Sequence, residues 1–307
     1  REAMVLPQQP KSMIVVGSGA IGVEFADFYN SMGTKITIVE FMPRVVPVED
    51  EDISKELEKQ FKKKGIAIMT SAEVTKVDTS GAGVKATVKT AAGEQVLEAD
   101  ILLSAAGVVA NIENIGLEEN GIKTDKGRIV VDKYGATSVP GIYAIGDVAP
   151  GQALAHVASK EGINAAEHIA YMEKKYNHAP EAMDYNNIPG CTYCSPEIAS
   201  VGYTEKAAKE AGYDVKVGKF PFMASGKASA SGSTDGFVKV IFDAKYGEFL
   251  GAHMIGAGVT ELIAEVVVAR KLETTYHEIL NGVHPHPTMS EALKEATAAA
   301  YGEAIDI

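Results

Sequence analysis

An α/β class is predicted for the first part of the chain and an α+β class for the last, on three observations. Over residues 13–69 short apolar runs alternate with amphipathic stretches of helical period. A glycine cluster parts the first run from the first helical stretch, as a tight strand-to-helix turn requires. Beyond about residue 185 the strand-like runs come before the closing helical stretches instead of alternating with them.

The first run, Met13-Ile14-Val15-Val16, is too short for a buried helix and reads as a buried strand. Ala20 to Met32 is helical and stops at Gly33; Ile36-Thr37-Ile38-Val39 is the next strand. Ile53 to Lys64 is a charged amphipathic helix. Its basic run, Lys62-Lys63-Lys64, precedes Gly65, which fits cations at a helix C-terminus with a glycine cap. Ile66-Ala67-Ile68-Met69 completes a second crossover, so the central sheet is expected to be parallel. Residues 72–98 alternate Val, Thr and Lys around Gly81 and Gly93, the pattern of an antiparallel meander laid on that core; Asp100 to Ser104 returns as a buried strand. The segment 111–184 carries an apolar strand at 142–145, closed by Gly146-Asp147, and an Ala-rich helix through Ala170. From 185 onward strands are expected around Ile198, Val215, Val238 and Leu250, with helices over Thr260–Arg270 and Ser290–Ala300. The Ser-Gly-Ala patch at 224–233 reads as a loop, and Gly256-Ala257-Gly258 as a turn. No internal repeat is found.

Composition narrows the function. The formal net charge of −12 over 307 residues disfavours nucleic acid or an anionic lipid surface as partner, because no excess of Lys and Arg is left to neutralise phosphates. Apolar stretches break well before the roughly 20 residues of a bilayer span, so no membrane helix is expected. The chain opens Arg1-Glu2-Ala3, with neither an initiator Met nor a signal pattern, which is the expectation for a piece of a longer protein. Cys191 and Cys194 form a C-x-x-C in an extended segment. Their odd spacing points the side chains to opposite faces, and no second ligand pair completes a metal site, so both are expected to be reduced and structural, and no metal is expected.

Gly17-Ser18-Gly19-Ala20-Ile21-Gly22 follows a strand and opens a helix, the arrangement that lets a pyrophosphate approach backbone amides in a Rossmann-type domain. Glu40 ends the next strand at the distance where a carboxylate can accept both ribose hydroxyls and repel a 2′-phosphate, which favours NAD over NADP; Arg44 is the nearest cation. The structural alternative is a glycine turn with a surface Glu. Near the C-terminus His286 and Glu291 stand as a general base and its orienting acid. Thr288-x-x-Glu291 is equally a helix-capping box, which needs no catalysis. His284 and His253 are read as structural.

The order of GAIGVEFADFYNSMG, TSVPGIYAIGD, IPGCTYCSPEIASVGYTE and HPHPTMSE resembles the flavin-dependent disulfide reductases, most of all their dihydrolipoamide dehydrogenase family. The resemblance implies NAD contacts from Gly17, Ser18, Gly19, Ala20, Ile21, Gly22, Val23, Glu24, Glu40, Val74 and Gly107, with Glu24 near the nicotinamide. It implies FAD contacts from Asp147, on the ribityl chain, and from Ala153, Leu154, Ala155 and His156 beneath the isoalloxazine. It makes His286 and Glu291 catalytic. Residues 1–110 would be the NAD domain, 111–184 a central remnant of the flavin domain and 185–307 the interface domain of a homodimer. The substrate implied is dihydrolipoamide carried on a 2-oxo acid dehydrogenase or glycine cleavage complex, in the cytoplasm, or in the mitochondrial matrix or plastid of a eukaryote. Nothing in the sequence matches the family's N-terminal flavin region or its redox cysteine pair, so the chain alone is expected to be inactive; the alternative is an NAD-binding, dimerising module without turnover. Another reductase of the same fold, for glutathione or mercuric ion, is disfavoured by the extra His-Pro before His286 and by Glu40. One departure is Val108-Val109-Ala110-Asn111, where many relatives read Arg-Arg-Pro-Asn; it affects a basic contact near the cofactor and leaves the fold untouched.

Overall fold

A computed structural model describes residues 1–305. It divides into two compact units: residues 1–107 together with 189–305, and residues 108–188 between them in sequence.

The first unit begins with β1 (Ser12–Val16), α1 (Ala20–Ser31), β2 (Lys35–Val39), α2 (Glu51–Lys63) and β3 (Ala67–Met69); β4 (Glu73–Asp78), β5 (Val84–Thr90), β6 (Gly93–Ala99) and β7 (Ile101–Ser104) follow. Four strands form a parallel sheet in the order β3-β2-β1-β7, as the crossovers require. Met13, Ile14 and Val15 are all buried because both faces of that sheet are covered. Alternation sorts them: Met13 and Val15 meet Val23, Ala26, Leu57 and Phe61 on the helical side, while Ile14 meets Ala86 and Val88 of the β4-β5-β6 meander. α2 is oriented by its ends. Asp50 caps it by accepting from Asp52 N at 3.0 Å, and its last turn carries Lys62 and Lys63 before Gly65 at φ +83°.

Residues 108–188 hold the small hairpin β8 (Thr124–Asp125) and β9 (Arg128–Ile129), a 3-10 turn at Gly146–Val148 and the long helix α3 (Ala155–Met172). The strand expected at 142–145 is absent. Within this unit the run finds only one isolated bridge, Ala136 with Tyr143, and an apolar run without a ladder on either side does not become a strand.

The chain then returns to the first unit through β10 (Gly190–Thr192), β11 (Glu197–Gly202), α4 (Glu205–Glu210), β12 (Val215–Pro221), α5 (Gly226–Ser231), β13 (Phe237–Asp243), β14 (Phe249–Gly256), α6 (Val259–Lys271), α7 (Tyr276–Asn281) and α8 (Glu291–Tyr301). Five strands pair antiparallel in the order β10-β11-β14-β13-β12. Every residue of β13 and β14 is buried. One face, with Val240, Phe242, Ala252 and Met254, packs on Ile263, Val266 and Leu293 of α6 and α8. The other contributes Ile198, Phe237 and Ile255 to the core that holds Leu57 and Phe61 of α2, which is why residues far apart in sequence form one unit. Lys239 lies in this same contact, 4% exposed, with its ammonium 2.9 Å from Asp50, 3.1 Å from Asp52 and 2.8 Å from Glu205.

One more local expectation is corrected, and one element was not expected. The patch at 224–233 contains α5, not only loop, because Ser225 Oγ accepts from Ala228 N at 3.3 Å and Ala228 is buried. α7 was not foreseen, although Thr275-x-x-Glu278 before it is a complete capping box, with Thr275 N donating to Glu278 at 2.8 Å. Gly256-Ala257-Gly258 is the expected turn, and a Cβ at Gly256 would stand 2.4 Å from the Phe222 ring. Among the described residues no helix is long and apolar enough to cross a membrane.

Candidate functional site

β1 is the switch point of the parallel sheet, since β2 lies on one side of it and β7 on the other. Ligands of such sheets bind outside the carboxyl ends of the strands at that point. A cleft of about 500 Å³ opens there, lined by the ends of β1 (Val16 to Gly19), β2 (Val39 to Met42) and β7 (Ala105 to Gly107), with Ala72 to Val74 at its side. The three glycines divide the work. A Cβ at Gly17, where φ is +96°, would sit 2.5 Å from Ala105 O, and one at Gly22 would sit 2.1 Å from Gly17 O, so both positions are closed by protein. At Gly19 a Cβ would meet nothing within 4 Å, which leaves that backbone open to a ligand.

Glu40 is 6% exposed, yet its carboxylate is well partnered. Oε2 accepts from Ser18 N at 2.7 Å and Ser18 Oγ at 2.6 Å, and Oε1 accepts from Met42 N at 2.7 Å. These donors fix the side chain at the cleft wall and partner the polar atoms that burial removes from water. Arg44 is turned to other partners, Pro47 O at 2.8 Å and Glu51 at 3.5 Å.

Of the expected nucleotide contacts, Gly17, Ser18, Gly19, Glu40, Val74 and Gly107 share this cleft, while Ala20, Ile21, Gly22, Val23 and Glu24 sit on α1 outside its lining. Val23 is fully buried in the core, and Glu24 Oε1 accepts from Tyr193 N at 2.8 Å. The sequence reading missed Phe41, Met42, Ala105 and Ala106; the signal for them was their place just after β2 and β7.

At the N-terminus of α8, Glu291 divides its two oxygens. Oε1 lies 2.9 Å from His286 Nδ1, and Oε2 accepts from Thr288 N at 2.8 Å. Burial pushes its pKa up, but the Thr288 amide and His286 outweigh that and hold the carboxyl below its ordinary value. An ionised carboxylate can only accept, so Nδ1 carries the proton, and in the neutral ring the lone pair is on Nε2 of a side chain that is 79% exposed. The capping box is only half formed: Thr288 Oγ1 bonds Pro285 O at 2.7 Å and Ser290 Oγ at 2.8 Å, and Ser290 takes the cap position without a side-chain bond. His284 pairs with Glu265 at 2.9 Å. His253 is 2% exposed and bonds Tyr203 O at 2.9 Å through Nε2, while Nδ1 is buried without a partner; burial pushes its pKa down.

The sequence pattern of the pyridine nucleotide-disulphide oxidoreductases matches residues 1–162, and that of their dimerisation domain matches residues 188–297. The chain belongs to the pyridine nucleotide-disulphide oxidoreductase family. Dihydrolipoyl dehydrogenase from Rhizobium etli is 53% identical over 306 residues, 99% of this chain and 63% of that protein. Its counterpart from Zymomonas mobilis is 49% identical over 304 residues, 99% of this chain and 64% of that protein. The chain thus spans under two thirds of the length of these curated relatives. Among solved structures, LpdA from Mycobacterium tuberculosis superposes with a TM-score of 0.84 at 29% identity, covering 95% of this chain and 62% of that one.

The residues expected from the sequence to contact a flavin lie in the unit 108–188. Asp147 lies in the 3-10 turn after Gly146 and is exposed. Ala153 and Leu154 are half-buried, and Ala155 and His156 are exposed at the start of α3, whose N-cap Leu154 gives no side-chain cap. An exposed carboxylate and uncapped helix amides on one segment fit a group that offers both hydroxyls and carbonyl oxygens, as a flavin with its ribityl chain does. Glu161, which sequence reasoning passed over, accepts from Gly146 N at 2.7 Å.

Proposed function

We propose that this chain forms the nucleotide-binding, central and interface parts of a dihydrolipoamide dehydrogenase. The observation that carries the reading is the His286–Glu291 pair at 2.9 Å, which engages Nδ1 on a largely exposed side chain and leaves Nε2 for the role of base. His286 Nε2 takes the proton of a dihydrolipoamide thiol, and the thiolate attacks a disulfide supplied by the rest of the full-length protein, forming a mixed disulfide as the original S–S bond breaks and its other sulfur leaves as a thiolate; Glu291 stabilises the resulting imidazolium while its other oxygen stays fixed by Thr288 N. Asp147, Ala153, Leu154, Ala155 and His156 would hold FAD, which when bound would supply two-electron transfer between the reduced dithiol and NAD. The cleft at β1 takes the dinucleotide, with the pyrophosphate against Gly19 and Glu40 facing the adenosine ribose. Buried Glu40 and the engagement of Arg44 with Pro47 and Glu51 support NAD over its 2′-phosphorylated form. The disulfide is not Cys191 with Cys194. Both are free, they join different hydrophobic clusters, and burial pushes the Cys194 thiol up to about 12.

That last observation also favours a second reading for the isolated chain, an NAD-binding, dimerising module without turnover. The 307-residue chain is expected to give no lipoamide-dependent NAD reduction and to bind FAD only weakly; robust turnover would refute this. In the full-length enzyme His286→Gln should slow lipoamide oxidation by about 10² to 10⁴-fold and leave NAD affinity unchanged. Near-normal steady-state turnover in that variant would end the assignment of His286 as base. The partner proposed is a lipoyl group on a 2-oxo acid dehydrogenase or glycine cleavage complex, met by a homodimer.

A further inference from the structure

The turn that carries Asp147 is held from behind by side chains that the proposed chemistry does not use. Glu161 on α3 is 9% exposed. Its Oε2 accepts the Gly146 amide at 2.7 Å, and its Oε1 accepts the Tyr185 hydroxyl at 2.6 Å. Gly146 is at φ +70°, and a Cβ there would stand 3.0 Å from Ala158, so the backbone is pressed against α3 at the residue before Asp147. The other end of the turn is tied as well: Arg128 Nη1 donates to Ala149 O at 2.7 Å and to Gly151 O at 3.2 Å. Gly151 packs on Tyr185, where a Cβ would meet the ring at 3.0 Å.

This arrangement is specific about roles. Burial and the adjacent carboxylate push the Tyr185 hydroxyl up to about 12, so it stays a donor, and Glu161 is the acceptor of both bonds. A buried carboxylate is costly unless each oxygen is partnered, and here the partners are one amide of the turn and one phenol. Directing the Gly146 N–H inward fixes the peptide plane ahead of Asp147, whose own side chain remains exposed.

We propose that Glu161 is a positioning residue for flavin binding: it locks the Gly146–Asp147 turn so that Asp147 faces the hydroxyls of the ribityl chain, and Tyr185 locks Glu161. The proposal rests on the reading of Asp147 as a flavin ligand. It is tested on the 307-residue chain with Glu161→Ala, Glu161→Gln, Tyr185→Phe and, as control, Asp147→Asn. Hydrogen exchange at the Gly146 amide and FAD affinity by quenching of flavin fluorescence are read together, with the unfolding midpoint followed by circular dichroism. Loss of a charge-assisted bond should make Gly146 exchange faster and FAD binding weaker by about tenfold or more in Glu161→Ala. Glu161→Gln, which keeps an acceptor oxygen, should restore most of both, and Tyr185→Phe should fall between. If Asp147→Asn weakens FAD but Glu161→Ala leaves Gly146 exchange and FAD affinity at wild-type values, the proposal is overturned. It is overturned too if Glu161→Gln fails to rescue and all amides of the unit lose protection together, the signature of a structural role alone. If Asp147→Asn leaves FAD affinity unchanged, or the wild-type chain takes no FAD even at millimolar protein, the flavin reading itself falls.

Discussion

A single carboxylate, Glu40, makes most of the case for the choice of nucleotide. Its two oxygens already accept three protein hydrogen bonds, from Ser18 N, Ser18 Oγ and Met42 N, and a carboxylate has about four acceptor positions. One ribose hydroxyl can therefore be accepted without displacing a protein donor, where the sequence suggested two. Glu40→Ala should weaken NAD binding and abolish discrimination against NADP; titrating both nucleotides against the variant checks this, and a retained preference would count against Glu40 as the discriminator. That Gly17, Gly19 and Glu40 meet at one cleft was legible because their places follow from spacing along a strand, a turn and a helix. Ser18 Oγ and Glu161 were not, because their bonds are to residues brought close only by the fold. For the base pair, Glu291→Gln should reduce lipoamide turnover less than His286→Gln does. The amide can still orient the ring through Nδ1 but cannot stabilise its positive charge, and kinetics on both variants at one pH would rank them.

Among elements, the contact of α2 with the antiparallel sheet depends on a polar fastening as much as on apolar packing. Lys239 sits among Asp50, Asp52 and Glu205. Burial opposes ionisation at Asp50, but the bond from Lys239 and the Asp52 amide overcome it and hold that carboxyl below its ordinary value; bonds from Lys209 and Lys239 do the same at Glu205. A depressed carboxyl stabilises the fold above its unfolded pKa and loses that contribution as pH falls through the lower folded value. Lys239 is shifted upward, net of burial, by Glu205 and the aspartates, so its contribution is complete below the ordinary lysine range and fades only at strongly alkaline pH. Lys239→Met should cost about 3–5 kcal/mol by stranding Asp50, and should flatten the acid limb of stability in urea unfolding measured across pH. The alternation in β1 and the helical period of α1 and α2 were readable because one repeat decides each. The run at 142–145 and the patch at 224–233 misled for opposite reasons. The first has apolar residues but no ladder, and the second has weak helix formers rescued by a Ser225 cap and the burial of Ala228.

For the whole molecule, the dimerisation pattern over residues 188–297 leads to an expectation for solution behaviour. A closed two-fold dimer should be seen by sedimentation at micromolar concentration, and a monomer under those conditions would speak against residues 185–307 as the interface. That residues 1–107 and 189–305 share a core was beyond sequence reading, because Phe61 and Ile255 are paired by packing and by no local pattern. The same core constrains synthesis. On the ribosome, β1, α1 and α2 emerge long before Ile198, Phe237 and Ile255, the residues that complete their helical side, and the whole of 108–188 is made in between. The nascent nucleotide-binding half must therefore wait with apolar surface uncovered until β14 has been translated, which makes this the interval in which a chaperone would matter most.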